Sequence, residues 1–151
     1  MEKKRILVVD DDEEVCNSFK QLLELRGYSV DVAKSGREAI EKSNTSFYNL
    51  ALLDIRLPDM DGTELLTKMR DTIPKMVKIM VTGYPALDNV KDAINKGANG
   101  YIVKPAEIDE LLRTVKEHLD RQDEEKKYSE KKVAEFIESR SREEKTESTK
   151  K

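Results

Sequence analysis

Cysteine and histidine are almost missing from this chain of 151 residues: Cys16 and His118 are the only ones. A lone cysteine excludes an internal disulfide and leaves too few sulfur ligands for a cysteine-based metal site. Neither a Ser–His pair nor an activated cysteine is available for nucleophilic catalysis. Long apolar runs are missing too. The first, Ile6-Leu7-Val8-Val9, stops at Asp10, Asp11 and Asp12, too short for a signal peptide or a membrane span. The sequence therefore reads as cytoplasmic, with no membrane partner. Neither charge sign dominates. A formal net charge of −3 offers no basic footprint for nucleic acid.

Glycine and proline are present but confined: all six glycines and all four prolines precede residue 106. From Asp120 to Lys151, 20 of 32 residues are charged, ten acidic and ten basic. Such a stretch cannot bury enough surface to offset its own ordering entropy. Two regions follow, a domain over 1–119 and a charged extension over 120–151. The extension contains good helix formers and can continue the preceding helix to about Arg140. Val133, Phe136, Ile137 and Arg140 form a short stripe on it, suited to docking or a homodimer.

Before that boundary, strand and helix patterns alternate five times. Ile6–Val9 and Leu50–Leu53 are continuous aliphatic runs, as expected of strands covered on both faces. Tyr28–Ala33, Val77–Val81 and Gly100–Val103 are the other strand candidates. Helical stripes appear at Val15, Phe19, Leu22 and Leu23, stopped by Gly27, and at Leu87 to Lys96, stopped by Gly97. Ser35-Gly36-Arg37-Glu38 has capping-box form. Leu65, Leu66 and Met69 mark a helix starting at Gly62, and Ile108, Leu111, Leu112, Val115 and Leu119 mark the last one. Strict alternation implies parallel strands joined by right-handed crossovers, a doubly wound three-layer α/β domain.

In such a sheet, sites form outside the carboxyl ends of the strands. The first strand ends in Asp10 and Asp11, with Asp12 next as a helix cap. The third ends in Asp54, the fourth in Thr82, and the fifth in Lys104 followed by Pro105. Clustered carboxylates repel one another and favour a hard divalent cation such as Mg²⁺. A carboxylate can also accept a phosphoryl group as an acyl phosphate, with an ammonium and a hydroxyl to orient the transferring oxygens.

Four segments carry a family resemblance: Ile6-Leu7-Val8-Val9-Asp10-Asp11, Leu53-Asp54-Ile55-Arg56-Leu57-Pro58-Asp59-Met60-Asp61-Gly62, Val81-Thr82-Gly83 and Gly100-Tyr101-Ile102-Val103-Lys104-Pro105. In this order, across residues 5–119, the chain resembles the receiver domains of two-component response regulators. The resemblance implies a flavodoxin-like five-stranded sheet of order 2-1-3-4-5. It implies Asp54 as phosphoacceptor, and Mg²⁺ held by Asp11, Asp54 and the Arg56 backbone carbonyl, with Asp10 assisting through water. Thr82 and Lys104 match the phosphoryl-contacting pair, Tyr101 the aromatic switch coupled to Thr82, and Lys104–Pro105 a cis peptide. The implied phosphodonor is a sensor histidine kinase. The implied output is a protein target bound through the face of the fourth helix, fifth strand and fifth helix.

Some positions depart from the family. Asn99 and Gly100 stand where dimerising receivers often carry acids, which leaves Arg113 without that partner. Arg56 and Tyr84 occupy the two positions that tune phosphate lifetime, and both are large. Arg56 also occupies the place of the general-acid Asp of haloacid-dehalogenase-like phosphatases, which removes the turnover-enzyme reading. The expected activity is self-phosphorylation with slow autodephosphorylation. The alternative is a receiver fragment of a larger transcription regulator or hybrid kinase. A DNA-binding module needs a core of its own, and 120–151 does not supply one. Cys16 reads as a small core residue and His118 as solvated.

Overall fold

The computed structural model describes residues 2–83 and 87–149, with the side chains of 87–89 and 143–149 excepted; Tyr84 lies outside the described residues. The order of elements is β1 (Arg5–Val9), α1 (Glu13–Leu25), β2 (Ser29–Ala33), α2 (Gly36–Thr45), β3 (Leu50–Leu53), α3 (Gly62–Lys68), β4 (Val77–Thr82), α4 (Leu87–Asn95), β5 (Gly100–Val103) and α5 (Ile108–Thr149). The strands form one parallel sheet in the order β2-β1-β3-β4-β5. This is the doubly wound, flavodoxin-like α/β arrangement with helices on both faces. The fourth strand runs one residue beyond Val81 and takes in Thr82.

Strands β3 and β4 are buried at every position and β1 at every position after Arg5, whereas the edge strands β2 and β5 are buried only in part. That difference explains why β1 and β3 are unbroken aliphatic runs. Successive side chains point to opposite faces of a strand, so two cores form. Ile6, Val8, Leu50, Leu52, Ile79 and Val81 pack with Cys16 and Leu23 of α1 and with Leu111, Val115 and Leu119 of α5. Leu7, Val9, Ala51, Leu53 and Met80 pack with Ala39 of α2, Leu65 and Leu66 of α3, and Ala93 of α4. Each fully buried Leu or Ile contributes about 1.5–3 kcal/mol of apolar transfer. A register slip of one residue would exchange the two cores.

Local chemistry sets the helix ends. The Asp12 side chain accepts from the Glu14 and Val15 N–H groups and caps α1. Gly27 (φ 91°) and Gly97 (φ 105°) adopt the left-handed conformation after α1 and α4. The Ser35 side chain accepts from the Glu38 N–H, but the Glu38 carboxylate accepts from Lys34 N rather than from Ser35 N. The reciprocal half of the capping box thus lies one residue earlier than its sequence form implies.

The chain divides into two compact units, Met1–Leu119 and Asp120–Lys151. Helix α5 continues to Thr149, beyond the expected Arg140. Within the second unit, Lys132 lies over the Tyr128 ring at 5.5 Å and Arg140 over the Phe136 ring at 5.4 Å. Glu138 pairs with Arg142 one turn on; exposed pairs of this kind add only a few tenths of a kcal/mol. Tyr128, Val133, Phe136 and Ile137 are all more than half exposed. Among the described residues, no helix is long and apolar enough to cross a membrane.

Candidate functional site at the carboxyl edge of the sheet

Parallel pairing brings the ends of β1 and β3 side by side, with Val9 opposite Leu53. The ladder continues past both strands: Asp10 N donates to Ala33 O at 3.0 Å, and Asp54 N to Val9 O at 3.0 Å. The next side chains along the chain are therefore Asp10, Asp11 and Asp54. One carboxylate oxygen from each lies within 4.8 Å of the others. Asp10 and Asp54 are buried and Asp11 is exposed.

Lys104 approaches from the end of β5, where its N–H donates to Thr82 O at 2.8 Å. Its Nζ donates to Asp10 Oδ2 at 2.5 Å and to Asp54 Oδ2 at 3.4 Å. Burial pulls the Lys104 ammonium down, but hydrogen bonding and charge from Asp10, then from Asp54, outweigh it and hold the group above its ordinary value. Asp54 is pushed above the usual carboxylate range, chiefly by burial and further by Asp10, against the pull of Lys104. Among the described residues, Asp54 Oδ1 is the one buried side-chain oxygen or nitrogen without a hydrogen-bond partner. An unmatched carboxylate oxygen beside two more carboxylates is the donor set a hard cation takes.

Asp10 Oδ1 accepts from the Asp12 N–H at 2.9 Å, and Cys16 Sγ donates to Asp10 O at 3.1 Å. Cys16 is thus buried beneath the site, and burial raises its thiol to about 11, which keeps it protonated. Thr82 is fully buried at the end of β4. Tyr101 is half-buried, and its phenol is raised by burial and by the Asp54 charge, so it lies within the field of the acidic rim. Arg56 is exposed on the β3–α3 loop, and its backbone N–H is directed at the Asp54 carboxyl. The Lys104–Pro105 peptide is cis, as is Ile73–Pro74.

Gly62 closes this loop beneath Asp54, its N–H donating to Ile55 O at 2.5 Å. A Cβ there would overlap the Asp54 backbone carbonyl and stand 2.9 Å from Ile55 Cα. Beside Lys104, an open groove of about 480 Å³ runs along α1, lined by Val15, Ser18, Phe19, Pro105 and Ala106.

Several side chains take roles the sequence did not signal. Lys78 is 5% exposed in β4 and donates from Nζ to Leu66 O at 2.9 Å, near the carboxyl end of α3. Its ammonium is lowered by burial. His118 is half-buried rather than solvated: Nδ1 lies 2.8 Å from Thr114 O and Nε2 3.3 Å from Asn99 O. The Asn99 side chain accepts from Lys78 N at 2.9 Å, tying the entry of β5 to β4.

A 2-1-3-4-5 parallel sheet with acids and a lysine along its carboxyl edge defines the class of flavodoxin-like signalling receivers. Residues 6–116 match the response regulator receiver domain family, and the chain belongs to that family. It is 37% identical over 118 residues to the transcriptional regulatory protein ZraR of Klebsiella oxytoca, covering 78% of this chain and 27% of that protein. It is 36% identical to the uncharacterized transcriptional regulatory protein YkoG of Bacillus subtilis, covering 79% of this chain and 52% of that one. The chain thus spans about a quarter to a half of these curated relatives. A solved CheY-like receiver domain protein from Methanospirillum hungatei superposes with a TM-score of 0.79 at 50% identity, over 82% of this chain and 99% of that one. The protein is a receiver domain of the two-component response-regulator type, a signalling phosphoacceptor family that binds Mg²⁺ at an acidic pocket and takes phosphate from histidine kinases.

Proposed function

We propose that Asp54 is the phosphoacceptor of this receiver, in a reaction supported by Mg²⁺ at Asp10, Asp11, Asp54 and the Arg56 carbonyl. The observation that carries the reading is the convergence of three carboxylates within 4.8 Å around the unmatched, buried Asp54 Oδ1. When bound, the cation supplies charge neutralisation for the carboxylates and for the phosphoryl oxygens. An Asp54 oxygen forms the new O–P bond as the P–N bond of a donor phosphohistidine breaks, and the histidine nitrogen keeps the electron pair. Lys104, already bridging Asp10 and Asp54, offsets the negative charge of the equatorial oxygens. Thr82, on the neighbouring strand end, offers a hydroxyl to the same group, and Tyr101 follows as the switch. Hydrolysis of the acyl phosphate returns the carboxylate, with Arg56 beside the path of water.

A sensor histidine kinase is the expected donor, and the apolar groove of Val15, Phe19 and Ala106 gives it a surface next to Lys104. Output passes to a protein target through the face of α4, β5 and α5. We take residues 1–119 as the receiver and 120–151 as its extension, with the Val133, Phe136 and Ile137 stripe as a homodimer contact. The location is the cytoplasm. A second reading, a receiver belonging to a larger transcription regulator, is favoured by the lengths of ZraR and YkoG. Incubation with acetyl phosphate tests the primary reading. Phosphorylation that requires Mg²⁺ and is lost in Asp54→Asn supports it, and equal labelling of that variant overturns it.

A further inference from the structure

The β3–α3 loop is held at its tip from outside. Arg56 and Asp61 form an isolated antiparallel bridge across its base, and Leu57 N donates to Met60 O at 3.2 Å. These bonds make the loop a small closed hairpin. Asp59 and Met60 tie that hairpin to the amino end of α2. One Asp59 oxygen accepts from Gly36 N and the other from Arg37 N, both at 2.9 Å. Ser35 Oγ takes the Glu38 N–H, so the first turn of α2 is satisfied by one local acceptor and one carboxylate 22–23 residues away. The adjacent Met60 side chain lies against Gly36, where any Cβ would overlap its Cγ and Sδ. Charge and shape therefore fix the same contact. The helix dipole and two directed N–H groups hold an anion there, and the Asp59 carboxyl sits below its ordinary range because of those N–H groups.

We propose that Asp59 is a positioning residue of the phosphorylation site: it anchors the loop to the amino end of α2 and so fixes the Arg56 peptide beside Asp54. The Arg56 N–H, directed at the Asp54 carboxyl, and the Arg56 carbonyl belong to neighbouring peptide units three to four residues from the anchor. Asp59 touches neither the metal position nor the phosphoryl position and acts through the backbone alone. The inference rests on the proposed Mg²⁺ site at Asp10, Asp11, Asp54 and the Arg56 carbonyl. Loss of a group that orients a metal ligand costs about 10–100-fold in affinity.

Mg²⁺ titrations of the full chain, followed by calorimetry and by the amide resonances of Gly36, Arg37 and Arg56, test this directly. Asp59→Ala should bind Mg²⁺ at least about tenfold more weakly than wild type, and the Gly36 and Arg37 amides should lose their hydrogen-bonded shifts. Asp59→Asn keeps one acceptor oxygen and should recover part of both effects. It also serves as the test protein if the alanine variant fails to fold. A merely structural role would lower the melting temperature and leave the Mg²⁺ affinity of the folded protein unchanged. Wild-type affinity in both folded variants overturns the inference while the site reading stands. No Mg²⁺ binding by wild type overturns the site reading and the inference together.

Discussion

Replacing Asp54 by Asn should make the metal-free protein more stable. The residue is 8% exposed, and Oδ1 is buried without a partner. Leaving such a group unsatisfied costs about 1–3 kcal/mol, and burial accordingly raises Asp54 above its ordinary 3.8. The amide keeps the shape and puts a neutral polar atom, less costly to leave unmatched, where the charged oxygen was, while Lys104 retains its 2.5 Å contact with Asp10, so no cation is stranded. The expected gain in EDTA at pH 7 is about 1–3 kcal/mol, or roughly 3–15 °C in melting temperature for a domain of this size. The sign with pH follows from the raised value. The native state disfavours the carboxylate, so the penalty is fully present above the folded value. It fades as pH falls through that value and vanishes below 3.8, where the native and unfolded states are both protonated. Urea unfolding followed by far-UV circular dichroism at pH 7 and near pH 3.5 reads both ends. Saturating Mg²⁺ should shrink the difference, because only wild type keeps the full carboxylate set and gains stability by binding. An Asp54→Asn variant no more stable than wild type in EDTA at pH 7 would refute the reasoning.

Lys104→Met should destabilise the metal-free protein by about 2–4 kcal/mol, since it leaves Asp10 and Asp54 facing each other without a cation; thermal melts that recover on adding Mg²⁺ check this. Gly62→Ala should cost about 1–3 kcal/mol through the overlap with the Asp54 carbonyl and slow phosphorylation more than it weakens the fold, read by chemical denaturation beside acetyl-phosphate kinetics. Removal of residues 120–151 should leave a cooperative unfolding transition for 1–119 while lowering the helical dichroism per molecule, and loss of that transition would count against the proposed boundary.

Much of this architecture is legible in the sequence because burial on both faces leaves an unambiguous trace. Ile6–Val9 and Leu50–Leu53 have no polar residue to confuse them, and the acids that follow fall by necessity at the sheet edge. Lys104 was legible for the same reason, as the residue after a strand that falls beside the acids of the same edge. Lys78 was not. A charged residue inside a strand signals an exposed edge, yet its stem runs through the core to place Nζ on the Leu66 carbonyl. Asp59 gave no signal because its partners, Gly36 and Arg37, are distant backbone groups, and backbone donors have no sequence signature. Tyr48, which donates to Asp31 Oδ2 at 2.6 Å, and His118, whose Nε2 lies 3.3 Å from Asn99 O, were hidden because these partners are fixed by the fold and not by spacing along the chain.

The central claim is that the phosphoryl group resides on Asp54 as an acyl phosphate. Borohydride reduces an aspartyl phosphate to homoserine and leaves free carboxylates and phosphoesters intact, so peptide mapping after reduction locates the acceptor. The protein treated with acetyl phosphate and Mg²⁺, then reduced, should carry homoserine at Asp54 and nowhere else. Homoserine at Asp10, Asp11 or Asp12, or a phosphate that survives reduction on a serine or threonine, would contradict the account.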